Sequence, residues 1–327
     1  MSEKTGLSRR MFLERAVLGG AAAGSLLTSS NVLKGETGSK KIKICVFSKH
    51  LQWLDYGDMG EAAAEIGFDG VALTTRPNGH VLPERAVEDL PKAVEAVRKA
   101  GIDVPMLTTA ITDPEDPHSR TILRLAQQLG IGHYRMGYYS YEKTAAIGAQ
   151  LNELKPKVRR LAELNQHFQV FGGYQNHVGE RYVGAPIWDV WELVRDLDPN
   201  WVGCQFDLRH ATVDGATAWP VNYRLVSSFT KMLAVKDFRW KKDGATWKTE
   251  NCPLGEGAVD YSRFIKMLKE DRFEGPISVH YEYPLGGADH GARQLGMDRG
   301  EFFAALKKDL DTLKGWLREG GLVDGLV

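Results

Sequence analysis

The chain has 327 residues, 43% of them hydrophobic and 26% charged, ordinary globular values that exclude a disordered chain. Lys plus Arg equals Asp plus Glu, 42 against 42, so the intact chain is formally neutral and lacks the basic excess that non-specific nucleic-acid binding needs. Residues 1–34 hold five basic and two acidic side chains, which leaves 37 basic against 40 acidic for residues 35–327, a mildly acidic body that argues against a polyanionic partner.

In chain order, the first feature is Ser8-Arg9-Arg10-Met11-Phe12-Leu13, followed by an Ala/Gly-rich apolar run over 16–27. It resembles a twin-arginine export signal, and the run is too short and too poor in large apolar side chains for a spanning helix. Residues 1–34 are therefore expected to be export signal and spacer outside the folded domain, with the protein periplasmic or otherwise extracytoplasmic. No stable membrane span is expected unless the signal stays uncleaved. Cys45, Cys204 and Cys252 form an odd set with no C-x-x-C pair, and Cys45 and Cys204 lie in apolar runs as small buried hydrophobes.

From residue 42 an apolar run, a turn and a helical stretch recur eight times. The strands are expected at 42–48, 70–74, 102–108, 133–136, 168–175, 202–207, 232–237 and 277–283. Helical periodicity fills 58–66, 90–100, 119–129, 144–166, 187–196, a weaker 223–229, 261–270 and 298–319. Gly67, Gly101 and Gly130 each follow a helix, as left-handed stops do. The last helix carries the clearest stripe, Phe303, Leu306, Leu310, Leu313 and Leu317. Alternation of this kind predicts an α/β fold with a parallel sheet, and eight units predict a closed (β/α)₈ TIM barrel as a single domain over 40–320. A doubly wound open sheet is the runner-up, but Ser48-Lys49-His50-Leu51-Gln52 after the first strand is no glycine-rich phosphate loop.

Chemistry in such a barrel lies at the C-terminal strand ends. The eight tips read Ser48-Lys49-His50, Thr74-Thr75-Arg76, Thr108-Thr109, Arg135-Met136-Gly137-Tyr138, Gln175-Asn176-His177, Asp207-Leu208-Arg209-His210, Lys236-Asp237-Phe238-Arg239 and His280-Tyr281-Glu282-Tyr283. Ionisable groups gather there while the strand bodies stay apolar, an expensive arrangement unless the groups are paired, hydrated or bound to a ligand.

With Phe47-Ser48-Lys49-His50-Leu51-Gln52-Trp53, Tyr174-Gln175-Asn176-His177, Val235-Lys236-Asp237-Phe238 and Pro253-Leu254-Gly255-Glu256-Gly257 added to the strand-six and strand-eight tips, residues 42–319 resemble the sugar phosphate isomerase/epimerase family. That family has the xylose-isomerase-like barrel and includes the AP-endonuclease-2-like proteins. The resemblance implies one divalent metal (Mn, Zn or Mg) held by Glu, Asp, His and Glu from strands five to eight. Carried over, the Asp is Asp207 and the last Glu is Glu282. The first Glu falls on Gln175 and the His on Ala234, so two of the four ligands are changed. Gln175 still offers a carbonyl oxygen, and His177 or His210 a nitrogen, so Gln175, Asp207, Glu282 and His210 form the candidate ligand set; the alternative is that Asp207 and Glu282 pair with Lys236 and Arg209 or Arg239.

The resemblance further implies a small carbohydrate substrate and proton abstraction next to its carbonyl. Glu282 is the candidate base, with its pKa raised by Asp207 and burial and that rise opposed by a metal or Lys236, and Lys236 or His177 is the second group. His210, Arg239 and His50 are the candidate substrate contacts. Elimination or hydration of a keto-glycoside, and a sugar-binding barrel without catalysis, are the alternatives. Tyr134, Tyr138, Tyr139 and Tyr141, with Trp219, Trp240 and Trp247, lie in loops near the tips, where aromatic faces stack on sugars or pack the loops. Gly255-Glu256-Gly257 reads as a lid or as an ordinary turn.

Overall fold

Eight of the ten strands close into one parallel barrel in a computed structural model that describes residues 42–323. The expected signal at 1–34 lies outside the described residues. In chain order the elements are β1 (Ile44–Phe47), α1 (Tyr56–Ile66), β2 (Gly70–Thr75), α2 (Ala86–Lys99), β3 (Asp103–Thr109), α3 (Pro117–Gln128), β4 (His133–Arg135), α4 (Ile147–Phe168), β5 (Phe171–Gln175), α5 (Ile187–Val194) and β6 (Val202–Asp207). There follow α6 (Leu208–Gly215), α7 (Trp219–Val226), β7 (Thr230–Val235), β8 (Asp237–Asp243), β9 (Thr246–Cys252), α8 (Tyr261–Glu270), β10 (Ile277–Val279) and α9 (Arg299–Glu319). The barrel runs β1-β10-β7-β6-β5-β4-β3-β2 and back to β1, as the eightfold alternation predicts.

Helices cover the outside of the barrel with their apolar stripes. On α9 the stripe is Phe302, Leu306, Leu310, Leu313 and Leu317, with Phe302 rather than Phe303 buried at its head. Gly67 ends α1 at φ 100°, where its N–H caps the Ala63 and Ala64 carbonyls. Among the described residues no helix is long and apolar enough to cross a membrane.

Several boundaries shift by a few residues and a helix that was not expected, α6, follows β6, while three further departures stand out. Phe168 ends α4, and Gln169 turns left-handed at φ 54° before β5 begins at Phe171. β10 stops at Val279, so Tyr281 and Glu282 stand on irregular backbone beyond it. After β7 the chain makes an antiparallel hairpin, β8–β9, turning through Gly244 at φ 59°. Trp240 and Trp247 lie exposed on that hairpin, whereas Trp219 is buried.

Candidate active site

Strand parity builds the mouth. Cys45, Ala72, Met106, Phe171 and Met232 pack together as a small plug. Counting by twos from the plug along β5 reaches Gln175, and the same count carried one residue past β2 and β7 reaches Arg76 and Lys236; with Lys49, on the short 3-10 turn after β1, they line one cavity of about 150 Å³. Phe47, Arg135, Tyr138, His177, His280 and Glu282 complete its wall.

At its centre the Lys236 ammonium lies 3.3 Å from Asp207 Oδ2 and 3.1 Å from Glu282 Oε2. Burial alone would depress the Lys236 pKa, but the two carboxylates outweigh it and hold it above its ordinary value. Burial likewise pushes the Glu282 carboxyl up, yet Lys236 and Lys49 outweigh that and hold it well below the usual carboxylate range. The expected rise in the Glu282 pKa is therefore reversed: the neighbour that decides it is a cation between the two carboxylates, not Asp207.

Asp207 is engaged on both oxygens. Oδ1 accepts the His210 N–H at 3.0 Å and so caps α6, which starts directly from β6. Oδ2 accepts the Gln175 side-chain amide at 2.8 Å. The Gln175 oxygen accepts instead from the Tyr138 hydroxyl at 2.6 Å and Arg135 Nη1 at 3.4 Å. A flipped amide would set a carbonyl against the carboxylate and an N–H against a guanidinium, so the neighbours fix its orientation.

His177 Nδ1 lies 2.9 Å from the Val178 carbonyl, which only accepts, so Nδ1 carries the proton and Nε2 presents its lone pair. Burial and Lys236 lower its pKa, which keeps the ring neutral. His210 is buried beside it, ring centroids 4.3 Å apart, with Nε2 3.5 Å from Asp207 Oδ2 and no hydrogen bond on that atom. It stands behind His177, outside the cavity wall.

Two expected substrate contacts fall elsewhere. Both ring nitrogens of His50 are in use: Nδ1 donates to the Ala288 carbonyl at 3.1 Å and Nε2 accepts the Tyr281 N–H at 3.0 Å. Arg239 projects from β8 and pairs with Glu250 at 2.7 Å, in the open. Gly255-Glu256-Gly257 is a pinned turn, not a lid, because the Asp237 carboxylate accepts the N–H of Gly255 and of Gly257, and Glu256 pairs with Lys308. Of the tyrosines, Tyr138 alone lines the cavity; Tyr134 is buried and donates to Asn165.

Sequence reasoning placed Lys49, Arg76, Arg135 and His280 at tips and gave them no role. For Arg76 the signal is the two-residue count from an apolar interior position, Ala72; Arg135 and His280 have no apolar residue two before them, only His133 and Ser278. Burial lowers the Lys49 pKa to about 8.

The donor set does not fit the metal that the resemblance implies. Gln175 directs an N–H, not its oxygen, at Asp207, and Ala234 offers no donor. The Lys236 ammonium holds the place between the carboxylates that a shared cation would need. Among the described residues no group of three or more His, Cys, Asp and Glu side chains is arranged to hold a metal ion. A larger cavity of about 560 Å³ lies at the other end of the barrel, by Gly132, Phe171 and Thr230 at the strand starts, away from this cluster.

A closed parallel barrel with its ionisable groups converging at the C-terminal strand ends defines the TIM-barrel class. The xylose isomerase-like TIM barrel family model matches residues 60–316, and the chain belongs to that family. Solved structures share the fold at low identity. A D-psicose 3-epimerase with D-tagatose from Clostridium cellulolyticum H10 is 14% identical at TM-score 0.63, covering 84% of this chain and 99% of its own. A xylose isomerase-like TIM barrel protein from Mycobacterium smegmatis in complex with magnesium is 15% identical at TM-score 0.61, covering 82% and 98%. A probable 3-DHS dehydratase from Bacillus anthracis is 14% identical at TM-score 0.61, covering 84% and 99%. No curated protein sequence matches the chain significantly.

Proposed function

We propose that the chain is a carbohydrate isomerase or epimerase that removes a proton next to the carbonyl of a sugar or keto-sugar. The observation that carries this reading is the Lys236 ammonium, fixed between Asp207 and Glu282 in a cavity that also presents the unprotonated Nε2 of His177. A carbonyl oxygen directed at Lys236 Nζ gains a charge-assisted donor, which stabilises the ene-diolate as it forms. His177 Nε2 takes the proton from carbon. Isomerisation needs that one base; epimerisation needs a second group on the other face, and Glu282 and Lys49 stand in the same wall. The cavity is smaller than the ~300–1,000 Å³ of most small-ligand sites, which suits one sugar ring or its reacting end.

The family and the neighbouring D-psicose 3-epimerase support this reading. The resemblance also implies metal assistance, but the engaged oxygens of Asp207 and Gln175 give it no support, and no step is assigned to a metal. Elimination is the second reading. It shares the first step, proton removal beside a carbonyl, and a neighbour is a probable dehydratase. Arg9-Arg10 and the apolar run after them support export by the twin-arginine route, so that the substrate is met outside the cytoplasm. The test is incubation of the purified protein with a panel of keto-sugars in D₂O, followed by mass spectrometry. Isomerisation or epimerisation adds one deuterium without loss of mass, elimination splits off water or an aglycone, and a sugar left without exchange throughout the panel would defeat both.

A further inference from the structure

We propose that the cavity recognises an anionic group on its substrate, held between Arg76 and Arg135. The proposal rests on the cavity being the substrate site. Four cations line it, Lys49, Arg76, Arg135 and Lys236, against one carboxylate, Glu282, with Asp207 directly behind Lys236. Both carboxylates are taken by lysines: Lys236 touches the two, and Lys49 lies 3.8 Å from Glu282. The two guanidiniums are left over. Among the described residues neither has a carboxylate within ion-pair distance, whereas the surface arginines Arg85, Arg98 and Arg239 each do.

Arg135 is 5% exposed. It donates to the Tyr138 hydroxyl at 2.8 Å, the Gln175 oxygen at 3.4 Å and the Thr109 carbonyl at 3.2 Å, all uncharged acceptors. Its Nε has no partner. Among the described residues the Arg76 guanidinium has no hydrogen-bond partner, and it lies 5.5 Å from the Phe47 ring centroid. Burial first, and then the charge of Arg135, lower the Arg76 pKa to about 10. A buried charge without a counter-charge is costly, and an anion between the guanidiniums offsets that cost, cancels their repulsion and supplies the missing acceptor. The carboxylate of a sugar acid and the phosphate of a sugar phosphate share this chemistry.

The experiment is titration calorimetry of the full chain with D-fructose, D-fructuronate and D-fructose 6-phosphate, repeated for Arg76→Gln and Arg135→Gln. The expected result is that one anionic sugar binds at least about tenfold more tightly than D-fructose, the ratio expected when a site's charged groups lose their partner. Arg76→Gln should remove that preference by weakening binding of the anionic sugar at least about tenfold more than binding of D-fructose, and the better of the two anions names the source of the charge. If Arg135→Gln fails to fold, Arg76→Gln decides alone, because its side chain has no hydrogen bond to lose. No preference for either anion, absence of binding included, or an anion preference unchanged in Arg76→Gln, overturns the proposal. Anion binding without deuterium exchange keeps the anion site and removes the enzymatic reading; exchange into neutral keto-sugars without anion preference does the reverse.

Discussion

Glu282 faces two demands that oppose each other. As a base it needs a pKa near the working pH; as the partner of Lys236 and Lys49 it is held ionised well below that. His177 has no such conflict, since its lone pair is free and its pKa already lowered. His177→Gln is therefore expected to cut turnover by roughly 10²-fold, the usual scale for a lost general base. The wild type should lose activity on the acid side, below the ordinary histidine pKa, and what activity the variant keeps should lack that limb. Near-normal turnover in the variant would transfer the role to Lys49 or Glu282. Glu282→Gln separates those two, since it removes a carboxylate but leaves Lys49 in place. At this scale Gln175, Asp207, Lys236, His177 and Glu282 were legible as tip residues and do converge. The direction of the Glu282 shift was left open between burial beside Asp207, which raises it, and Lys236, which opposes that rise, because nothing in a linear chain says which of them comes closer.

Elements were legible where burial wrote a pattern, an apolar run for β1, β2 and β6, which are buried along their whole length, or a one-sided stripe for a helix, and were missed where it did not. The β8–β9 hairpin has its distal half exposed on both faces, so no apolar run marks it. Its signal was the Asp243-Gly244 turn, with the strand formers Thr246, Trp247 and Thr249 after it. On α9 the buried stripe is interrupted by Asp309, 1% exposed, whose Oδ2 accepts from the Tyr283 hydroxyl at 3.2 Å. Burial raises its pKa from 3.8 to about 7. The folded state thus binds a proton between those values that the unfolded chain releases, so this group takes stability away as pH rises from about 4 to 7. Asp309→Asn is expected to stabilise the protein by about 1–4 kcal/mol above pH 7, with the gain fading toward pH 4. Chemical denaturation at pH 4.5 and 8.5 measures it, and a gain independent of pH would assign the effect to something other than the buried charge.

For the whole molecule, two expectations concern what the barrel carries and where it works. With Lys236 between the carboxylates and Gln175 turned to Asp207, treatment with a chelator is expected to leave melting temperature and turnover unchanged. Stoichiometric Mn, Zn or Mg in the purified protein, lost together with activity, would restore the metal. Replacing Arg9 and Arg10 by Lys is expected to retain the protein in the cytoplasm, read by fractionation; unchanged export would remove the twin-arginine reading.

By itself the sequence determined the barrel, because eight alternations of apolar strand and amphipathic helix leave few ways to bury both sets of faces. It also marked the C-terminal strand ends as the place where the ionisable groups gather, because the strand bodies are apolar and only the tips are polar. Tertiary structure alone decided which of those groups pair. His50 and Arg239 sit at tips as Lys49 and Arg76 do, yet His50 is fastened to Ala288 and Tyr281 and Arg239 to Glu250. Pairing depends on distances of a few ångströms between segments remote in the chain, and the charge of a buried group follows from its neighbours there rather than from its own residue type.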